Sequence, residues 1–284
     1  MSRPEHEAPP EIFYDEVEAQ KYTSNTRMVE IQTQMTERAL EMLMLPSAEE
    51  GGPKLILDIG CGSGLSGETI EENGHAWIGL DISKAMLDVA VEREVEGDLC
   101  LADMGNGLFF RAGVFDGAIS ISALQWLCNA DKKSHEPRRR LHKFFQSLYA
   151  CLSRGARAVF QFYPENPDQM ELITAAAMKC GFTGGLVVDF PNSTKAKKYF
   201  LCLIAGNPPE GFQMPQPLLG EGEEAQSTVG YSNERLTKRK GKRREPVKHR
   251  DWVLKKKESQ RRKGLEVRPD SKYTGRKRSG PRGF

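Results

Sequence analysis

The sequence predicts an α/β protein built on a doubly wound, mostly parallel sheet. Residues 55–64, LILDIGCGSG, are typical of a buried strand that ends in a glycine-rich turn, and a helix is predicted from about Leu65. Residues 75–81, HAWIGLD, predict a second strand that carries a carboxylate at its carboxyl end. Short apolar runs and helical segments then alternate as far as Ala205, which indicates helices on both faces of the sheet.

The other predicted elements follow the same alternation. Before the first strand, Met28, Ile31 and Met35 fall at helical spacing, which predicts a helix over about 27–45 with one side in the core. Two further strands are predicted at 97–104 and 115–122. They are followed by a helix at 137–152, a strand at 156–163, a helix at 167–180, and strands at 185–190 and 198–205 joined by a turn at 191–193.

The glycine-rich turn predicts a site for a nucleotide-like cofactor. Glycine is needed where the backbone takes a positive φ and approaches a ligand too closely for a Cβ. Asp81 ends the second strand, where ribose hydroxyls lie in open α/β sheets. Gly62, Gly64 and Gly67 also spell a dinucleotide fingerprint, but Gly60 follows the strand directly and puts that fingerprint out of register. A tight turn without a ligand is the remaining alternative.

The spacing Asp58-x-Gly60-x-Gly62-x-Gly64 resembles motif I of the class I S-adenosylmethionine-dependent methyltransferases. This resemblance implies a Rossmann-like, seven-stranded mixed sheet in the order 3-2-1-4-5-7-6, with S-adenosylmethionine as the cofactor. It also implies that Asp103 holds the adenine amino group. The cofactor site implied in this way comprises Tyr22, Asp58, Gly60, Cys61, Gly62, Gly64, Asp81, Ile82, Asp103, Met104 and Ser120, with Met104 packing against the adenine ring.

Composition excludes several classes of protein. The chain has 284 residues, of which 38% are apolar, and this is enough for one α/β core. No run approaches the length of a membrane span, and the first ten residues are polar, so we expect a soluble intracellular protein. The six cysteines are scattered without a Cys-x-x-Cys pair, which predicts neither a metal site nor a disulfide framework.

The overall charge of +2 hides two segments of opposite sign. Residues 231–284 carry 21 Lys and Arg against 6 Asp and Glu, a net charge of +15, whereas the remaining residues carry 20 against 33, or −13. Such asymmetry favours a nucleic-acid partner. Trp252 and Tyr273 lie within the basic run, and residues 238–244, KRKGKRR, have the composition of a nuclear localisation signal. A solvated charged tail without a partner is the alternative.

These shifts in composition divide the chain into three parts. Residues 1–205 form the predicted methyltransferase domain, and residues 1–50 form a helical lid region within it. Residues 206–230 are rich in Gly, Pro, Glu and Gln, which predicts a disordered linker. Residues 231–284 form a basic RNA-binding and nuclear-targeting tail.

Longer blocks of sequence resemble the eukaryotic 18S rRNA guanine-N7 methyltransferases of small ribosomal subunit biogenesis. These blocks are 10–15 (PEIFYD), 57–67 (LDIGCGSGLSG), 120–129 (SISALQWLCN), 163–166 (YPEN) and 267–278 (VRPDSKYTGRKR). The resemblance implies formation of N7-methylguanosine in 18S rRNA within pre-40S particles. It also implies a nuclear location, in nucleoplasm and nucleolus with some protein in the cytoplasm. Finally, it implies a heterodimer with a small zinc-binding activator protein that pairs with the sheet edge at the third strand, where Leu99 and Leu101 lie.

The chemistry of N7 methylation is consistent with the predicted site. Guanine N7 carries an in-plane lone pair and no proton, so no general base is expected and the catalytic residues stay unassigned. Residues 122–126, SALQW, replace the Asn/Asp-Pro-Pro-Tyr/Phe motif of many enzymes that methylate exocyclic amines. Trp126 is either a platform for an extruded guanine or a core residue. Two other functions remain open: an assembly factor whose binding role is essential, and a small-molecule or protein methyltransferase.

Overall fold

The computed structural model describes residues 3–46, 48–130, 132, 135–208 and 213–219, together with 254, 257, 258, 261 and 267–270. The chain divides into two compact units, 1–231 and 232–284. Seven strands form the sheet of the first unit. They are β1 (Leu55–Ile59), β2 (Ala76–Asp81), β3 (Asp98–Leu101), β4 (Phe115–Ile121), β5 (Leu152–Phe162), β6 (Phe182–Asp189) and β7 (Lys198–Ala205).

The strands lie in the order β3-β2-β1-β4-β5-β7-β6, which confirms the predicted order. Strands β1 to β5 are parallel to one another. Strand β7 runs antiparallel to both β5 and β6, so the sheet is mixed. Asp58 on β1 pairs with Gly79 on β2 and with Ile119 on β4. The carboxyl ends of β1 to β4 therefore meet at one edge, where ligands bind in open α/β sheets.

Eight α-helices are present among the described residues. They are α1 (Pro10–Phe13), α2 (Glu16–Ser24), α3 (Thr26–Leu43), α4 (Ala48–Gly51), α5 (Leu65–Glu72), α6 (Lys84–Glu92), α7 (Pro137–Cys151) and α8 (Pro167–Lys179). The helices predicted at 27–45, 137–152 and 167–180 are observed with ends that shift by one or two residues. Asp15 begins α2 by accepting hydrogen bonds from the N–H groups of Val17 and Glu18.

Helices cover both faces of the sheet, as predicted. On one face, Phe144 and Phe145 of α7 pack edge-on against Phe160 of β5. On the other face, Met35 and Met42 of α3 belong to a second buried cluster. The methionine stripe of α3 is therefore core, and both faces of the parallel strands are dry, as their continuous apolar sequences require.

Part of the predicted disordered linker makes hydrogen bonds within the first unit. The Leu218 N–H donates to Asp189 Oδ1 at 2.8 Å, and the Phe190 N–H donates to the Leu218 carbonyl at 2.7 Å. Arg38 bridges Asp189 and the Gln216 carbonyl. Asp189 is only 1% exposed, and its buried carboxylate needs these donors. Disorder of residues 206–230 stays a prediction, beside these contacts of Gln216 and Leu218. Residues 209–212 and 220–230 lie outside the described residues.

Few residues of the second unit are described. Asp270 accepts hydrogen bonds from Lys257 Nζ at 2.9 Å and from Arg261 Nη2 at 2.7 Å, and these two cations lower the pKa of its carboxyl group. Predictions for Trp252, Tyr273 and residues 238–244 lie outside the described residues. Within the described part of the chain, no helix has the length and apolar content that a membrane span requires.

Candidate active site

A cavity lies at the carboxyl ends of β1 to β4. Residues that follow each of these strands form its floor, and the N-terminal segment 10–32 contributes to its lining. The structure brings together most of the residues predicted from the sequence. Those that line the cavity are Tyr22, Gly60, Cys61, Gly62, Asp81, Ile82, Asp103, Met104 and Trp126.

The glycine loop has the backbone geometry that its sequence predicts. Gly60 and Gly62 take φ values of +76° and +54°. A Cβ on Gly60 would overlap the methyl group of Ala123, and one on Gly62 would lie 2.8 Å from the Cε of Met86. The Gly60 N–H donates to the Leu80 carbonyl at 2.7 Å, which fastens the loop to the end of β2. The loop therefore presents bare backbone to the cavity.

Asp81 connects the glycine loop to the start of α6. Its Oδ2 accepts from the Gly62 N–H at 2.9 Å and its Oδ1 accepts from the Ser83 N–H at 2.8 Å. Removal from bulk water raises the pKa of this carboxyl group, while the backbone donors act in the opposite direction. Each carboxylate oxygen can accept a second hydrogen bond, so the side chain can still bind a ligand in the cavity.

Asp103 is bound by an arginine that the sequence analysis missed. Arg140 Nη2 lies 2.6 Å and 2.8 Å from the two carboxylate oxygens of Asp103, which also accept from the Gly105 N–H and from Asn106 Nδ2. Arg140 lines the cavity, and its buried Nε has no hydrogen-bond partner among the described residues. Arg140 therefore fixes the position of Asp103, and a ligand amine at Asp103 must share the carboxylate with it.

Three predicted site residues do not line the cavity. Asp58 is fully buried and accepts a hydrogen bond from the Ser66 hydroxyl. The Ser120 hydroxyl donates to the Ile59 carbonyl at 2.7 Å. Gly64 is the N-cap of α5 at a φ of +81°, and a Cβ there would meet Val95. The side chains of Asp58 and Ser120, and the missing Cβ of Gly64, shape the strand ends and the glycine loop. These residues therefore contribute to the site without lining the cavity.

Aromatic side chains also line the cavity, namely Tyr14, Tyr22 and Trp126. The ring centroid of Trp126 lies 6.1 Å from that of Tyr14 and 6.3 Å from that of Phe13. Tyr14 also contacts Tyr22 edge-on, and its carbonyl accepts from the Ser83 hydroxyl at 2.8 Å. Burial raises the pKa of both tyrosines, so their hydroxyl groups stay protonated. Tyr14 was not predicted to be a site residue, although it lies in the PEIFYD block at residues 10–15 that resembles the family.

A first prediction concerns Gly60. We expect Gly60→Ala to lower the free energy of unfolding by more than the roughly 1–2 kcal/mol of left-handed strain alone, because its methyl group collides with Ala123. Gly155→Ala is the matched control, since Gly155 has a φ of +81° and open space around it. Urea denaturation of both variants measures the difference. Equal destabilisation at the two positions would contradict the close approach at Gly60.

A second prediction concerns Asp58 and pH. Burial raises the pKa of Asp58 to about 7, so the folded state binds its proton more tightly than the unfolded chain does. Stability from this group is present at low pH and is lost as the pH rises from about 4 to about 7. We expect Asp58→Asn to remove this loss. Urea denaturation at about pH 5 and about pH 8 tests it, and parallel pH profiles for the two proteins would contradict it.

The cavity matches an adenosine-based cofactor in shape and chemistry. Glycine backbone lines the cavity, the Asp81 carboxylate has acceptor oxygens that suit a pair of hydroxyl groups, and Ile82, Met86 and Met104 supply apolar surface that suits a flat ring. Fold and site together define a class I methyltransferase that uses S-adenosylmethionine. In agreement, residues 56–155 match the family model described as "Methyltransferase domain".

The chain belongs to the family of 18S rRNA (guanine-N(7))-methyltransferases. It is 60% identical to "18S rRNA (guanine-N(7))-methyltransferase RID2" of Arabidopsis thaliana over 98% of each chain. It is 59% identical to the mouse (Mus musculus) "18S rRNA (guanine-N(7))-methyltransferase" over 97% of this chain and 96% of that one. Residues 203–280 match the family model "Methyltransferase involved in Williams-Beuren syndrome".

A solved structure shows the same fold at much lower sequence identity. A TehB-like SAM-dependent methyltransferase from Corynebacterium glutamicum matches with a TM-score of 0.50 and 16% identity, over 68% of this chain and 100% of that one. Because this identity is low, the match shows only that the sheet and its helices are shared.

Proposed function

We propose that this chain transfers a methyl group from S-adenosylmethionine to N7 of a guanine in 18S rRNA during formation of the small ribosomal subunit. The observation that carries the proposal is the 59–60% sequence identity, over nearly the full length of the chain, to enzymes named for that reaction. The cavity adds chemical support, because residues that suit an adenosine and aromatic side chains that suit a flat base line the same cavity.

The proposed cofactor contacts follow from the positions of the lining residues. Asp81 accepts hydrogen bonds from the two ribose hydroxyl groups, and Ile82 packs beside the adenosine. Asp103 accepts from the adenine amino group while Arg140 holds its carboxylate in place, and Met104 covers the ring. Gly60, Cys61 and Gly62 pass under the methionine part, where Gly60 and Gly62 leave no Cβ in the way. Tyr22 covers the cofactor from the N-terminal side.

Alignment accounts for most of the proposed rate acceleration. S-adenosylmethionine supplies a methyl group on a positively charged sulfur, which makes that carbon electrophilic. Guanine N7 needs no deprotonation before it attacks. The residues of the cavity must therefore hold N7 in line with the methyl carbon at close distance and keep water out. Trp126 and Tyr14 are the side chains that we assign to stacking on the extruded base.

The proposal is tested by mapping N7-methylguanosine in small-subunit RNA. Cells with and without the protein are compared by chemical cleavage at methylated guanines, and we expect one modified position to be lost without it. Complementation with Asp81→Lys should leave that position unmethylated. If this variant restores subunit maturation, the essential role is binding and not methylation. An unchanged pattern of N7-methylguanosine would overturn the proposed function.

We also propose that a small zinc-binding activator protein adds a strand to β3. The sheet order supports this proposal, because β3 is one of the two edge strands and its Leu101 is 58% exposed. Exposed edges of this kind invite strand addition or aggregation unless they are covered. We expect poor solubility of the chain alone and a higher soluble yield on co-expression with the activator.

A third prediction separates strand addition from side-chain contact. The Ala102 N–H donates to the Asp81 carbonyl at 2.8 Å, so by alternation the Leu101 N–H points away from β2. Leu101→Pro removes this outward donor and spares the pairing with β2. We expect the affinity for the activator, measured by calorimetry, to fall by about twofold to tenfold, the cost of roughly one hydrogen bond. Leu101→Ala is the control that keeps the N–H. Full binding by Leu101→Pro would contradict strand addition.

The proposed location is the nucleus, in both nucleoplasm and nucleolus, with some protein in the cytoplasm. This location is the one proposed for an enzyme that acts on RNA of pre-40S particles. The basic residues 238–244 supply the composition of a nuclear localisation signal.

A further inference from the structure

Three carboxylates line the cavity among the described residues: Glu11, Asp81 and Asp103. Asp81 and Asp103 follow β2 and β3, and the cofactor roles proposed above account for both. Glu11 comes from α1 in the N-terminal segment, whose Phe13 and Tyr14 contact Trp126. The third carboxylate therefore lies on the element that supplies the proposed base-stacking wall, and the cofactor contacts leave it without a role.

The carboxylate of Glu11 is held in place by an ion pair but has unused capacity to accept hydrogen bonds. Its Oε1 lies 3.1 Å from Lys132 Nζ, and its side chain is 26% exposed. Among the described residues, no hydrogen bond reaches Oε2. A carboxylate can accept about four hydrogen bonds, so both oxygens of Glu11 remain able to accept from a ligand.

We propose that the Glu11 carboxylate binds the Watson–Crick edge of the target guanine, accepting from N1–H and from the 2-amino group. This inference rests on the proposed function and names the residue that selects the base. Guanine alone among the four RNA bases presents two adjacent N–H donors on that edge, which match the two oxygens of one carboxylate. Adenine presents the N1 lone pair there and would be repelled.

The proposed contact is also consistent with the direction of attack. N7 lies on the opposite side of the purine from the 2-amino group. A base held by Glu11 at its Watson–Crick edge and stacked on Trp126 or Tyr14 can therefore direct N7 away from the N-terminal segment, toward the end of the cavity at β1 and β4. Lys132 acts as a positioning residue that limits the rotamers of Glu11.

Charge transfer makes this contact stronger in the transition state. The N7 lone pair forms the new N–C bond while the C–S bond breaks and its electron pair goes to sulfur. The positive charge passes to guanine, and no proton is released. As the ring becomes cationic, N1–H and the 2-amino group become stronger donors to Glu11. An interaction that strengthens in this way raises kcat and not only affinity.

The test combines a protein variant with a change in the base. The full chain with its activator is assayed on 18S rRNA that carries guanosine or inosine at the target position, because inosine lacks only the 2-amino group. Glu11→Gln is compared with Glu16→Gln, an exposed carboxylate of α2 that does not line the cavity. Affinity for S-adenosylmethionine is measured by calorimetry for each protein.

We expect Glu11→Gln to lower kcat on guanosine RNA by about tenfold to a hundredfold, the range for one lost hydrogen bond to a charged group. Affinity for S-adenosylmethionine should stay unchanged, and Glu16→Gln should behave as wild type. Inosine should slow the wild type by a similar factor but have little further effect on Glu11→Gln.

Several outcomes would overturn the assignment of Glu11. They are an unchanged kcat, an equal inosine penalty in both proteins, or a loss of cofactor affinity in Glu11→Gln. Failure of the wild type on guanosine RNA would refute the proposed function, and the inference about Glu11 would fall with it.

Discussion

The Asp81→Lys variant is expected to lose measurable affinity for S-adenosylmethionine. The change removes the acceptor proposed for two ribose hydroxyl groups, and each hydrogen bond to a charged group contributes about 1.5–3 kcal/mol. It also places a cation beside a ligand that carries a positive sulfur. In addition, the Gly62 N–H loses its partner at 2.9 Å, which loosens the glycine loop. Together these losses exceed about a hundredfold in affinity.

Calorimetric titration with S-adenosylmethionine measures this effect, and thermal unfolding without the cofactor shows whether the variant folds. Glu72→Lys is the control for charge reversal, because Glu72 is exposed in the last turn of α5, where a cation is tolerated. Asp81→Asn keeps one acceptor oxygen and should retain intermediate affinity. Unchanged affinity in a folded Asp81→Lys protein would remove Asp81 from the cofactor site.

The sheet was predictable because its signals are local. Buried parallel strands such as β1 and β4 appear as short apolar runs in the sequence. The positive φ angles of the glycine loop are predictable because glycines occupy those positions. The edge position of β3 followed from the strand order implied by motif I. Boundaries were less accurate at β5, which begins at Leu152 and not at 156, because a strand end carries no strong signal.

The rest of the site depends on contacts between residues distant in sequence. Arg140 meets Asp103 across 37 residues, and Glu11 meets Lys132 across 121. The hydrophobic periodicity of the sequence does not indicate such pairs. Asp58 and Ser120 were assigned to the cofactor because they belong to the right strands, but burial directs their side chains to Ser66 and to a backbone carbonyl. Position on a strand end is therefore weaker evidence than the direction of the side chain.

The linker shows that composition, too, does not reveal contacts between residues distant in sequence. The composition of residues 206–230 as a whole predicts disorder, although residues 213–219, QMPQPLL, include three large apolar side chains. In the structure the buried pair of Asp189 and Arg38 accepts from and donates to the backbone of this stretch, and Met214 packs against the second buried cluster. Two buried charges need such additional hydrogen bonds, since their mutual attraction alone does not offset desolvation. The contacts of this stretch are thus partly polar, and hydropathy does not record those.

Deletion of residues 231–284 is expected to produce the other large effect, a loss of salt-dependent RNA affinity. These residues carry a net charge of +15, whereas the rest of the chain carries −13 and repels phosphate. If the tail contacts roughly six phosphates in single-stranded regions, log affinity falls against log salt with a slope of about −4. Affinity then drops roughly 250-fold between about 50 mM and about 200 mM salt.

Without the tail this slope should flatten and nuclear accumulation should decrease. Affinity for S-adenosylmethionine should stay intact, because the described residues that line the cavity all lie between positions 10 and 140. Filter binding over a salt series measures the slope, with the full chain as reference. The match of residues 203–280 to a family model indicates that the tail is a shared feature of its relatives and not an incidental extension. An unchanged slope after truncation would place the RNA surface on the methyltransferase unit, where Lys132, Arg138 and Arg139 are exposed close to the cavity residues His135 and Arg140.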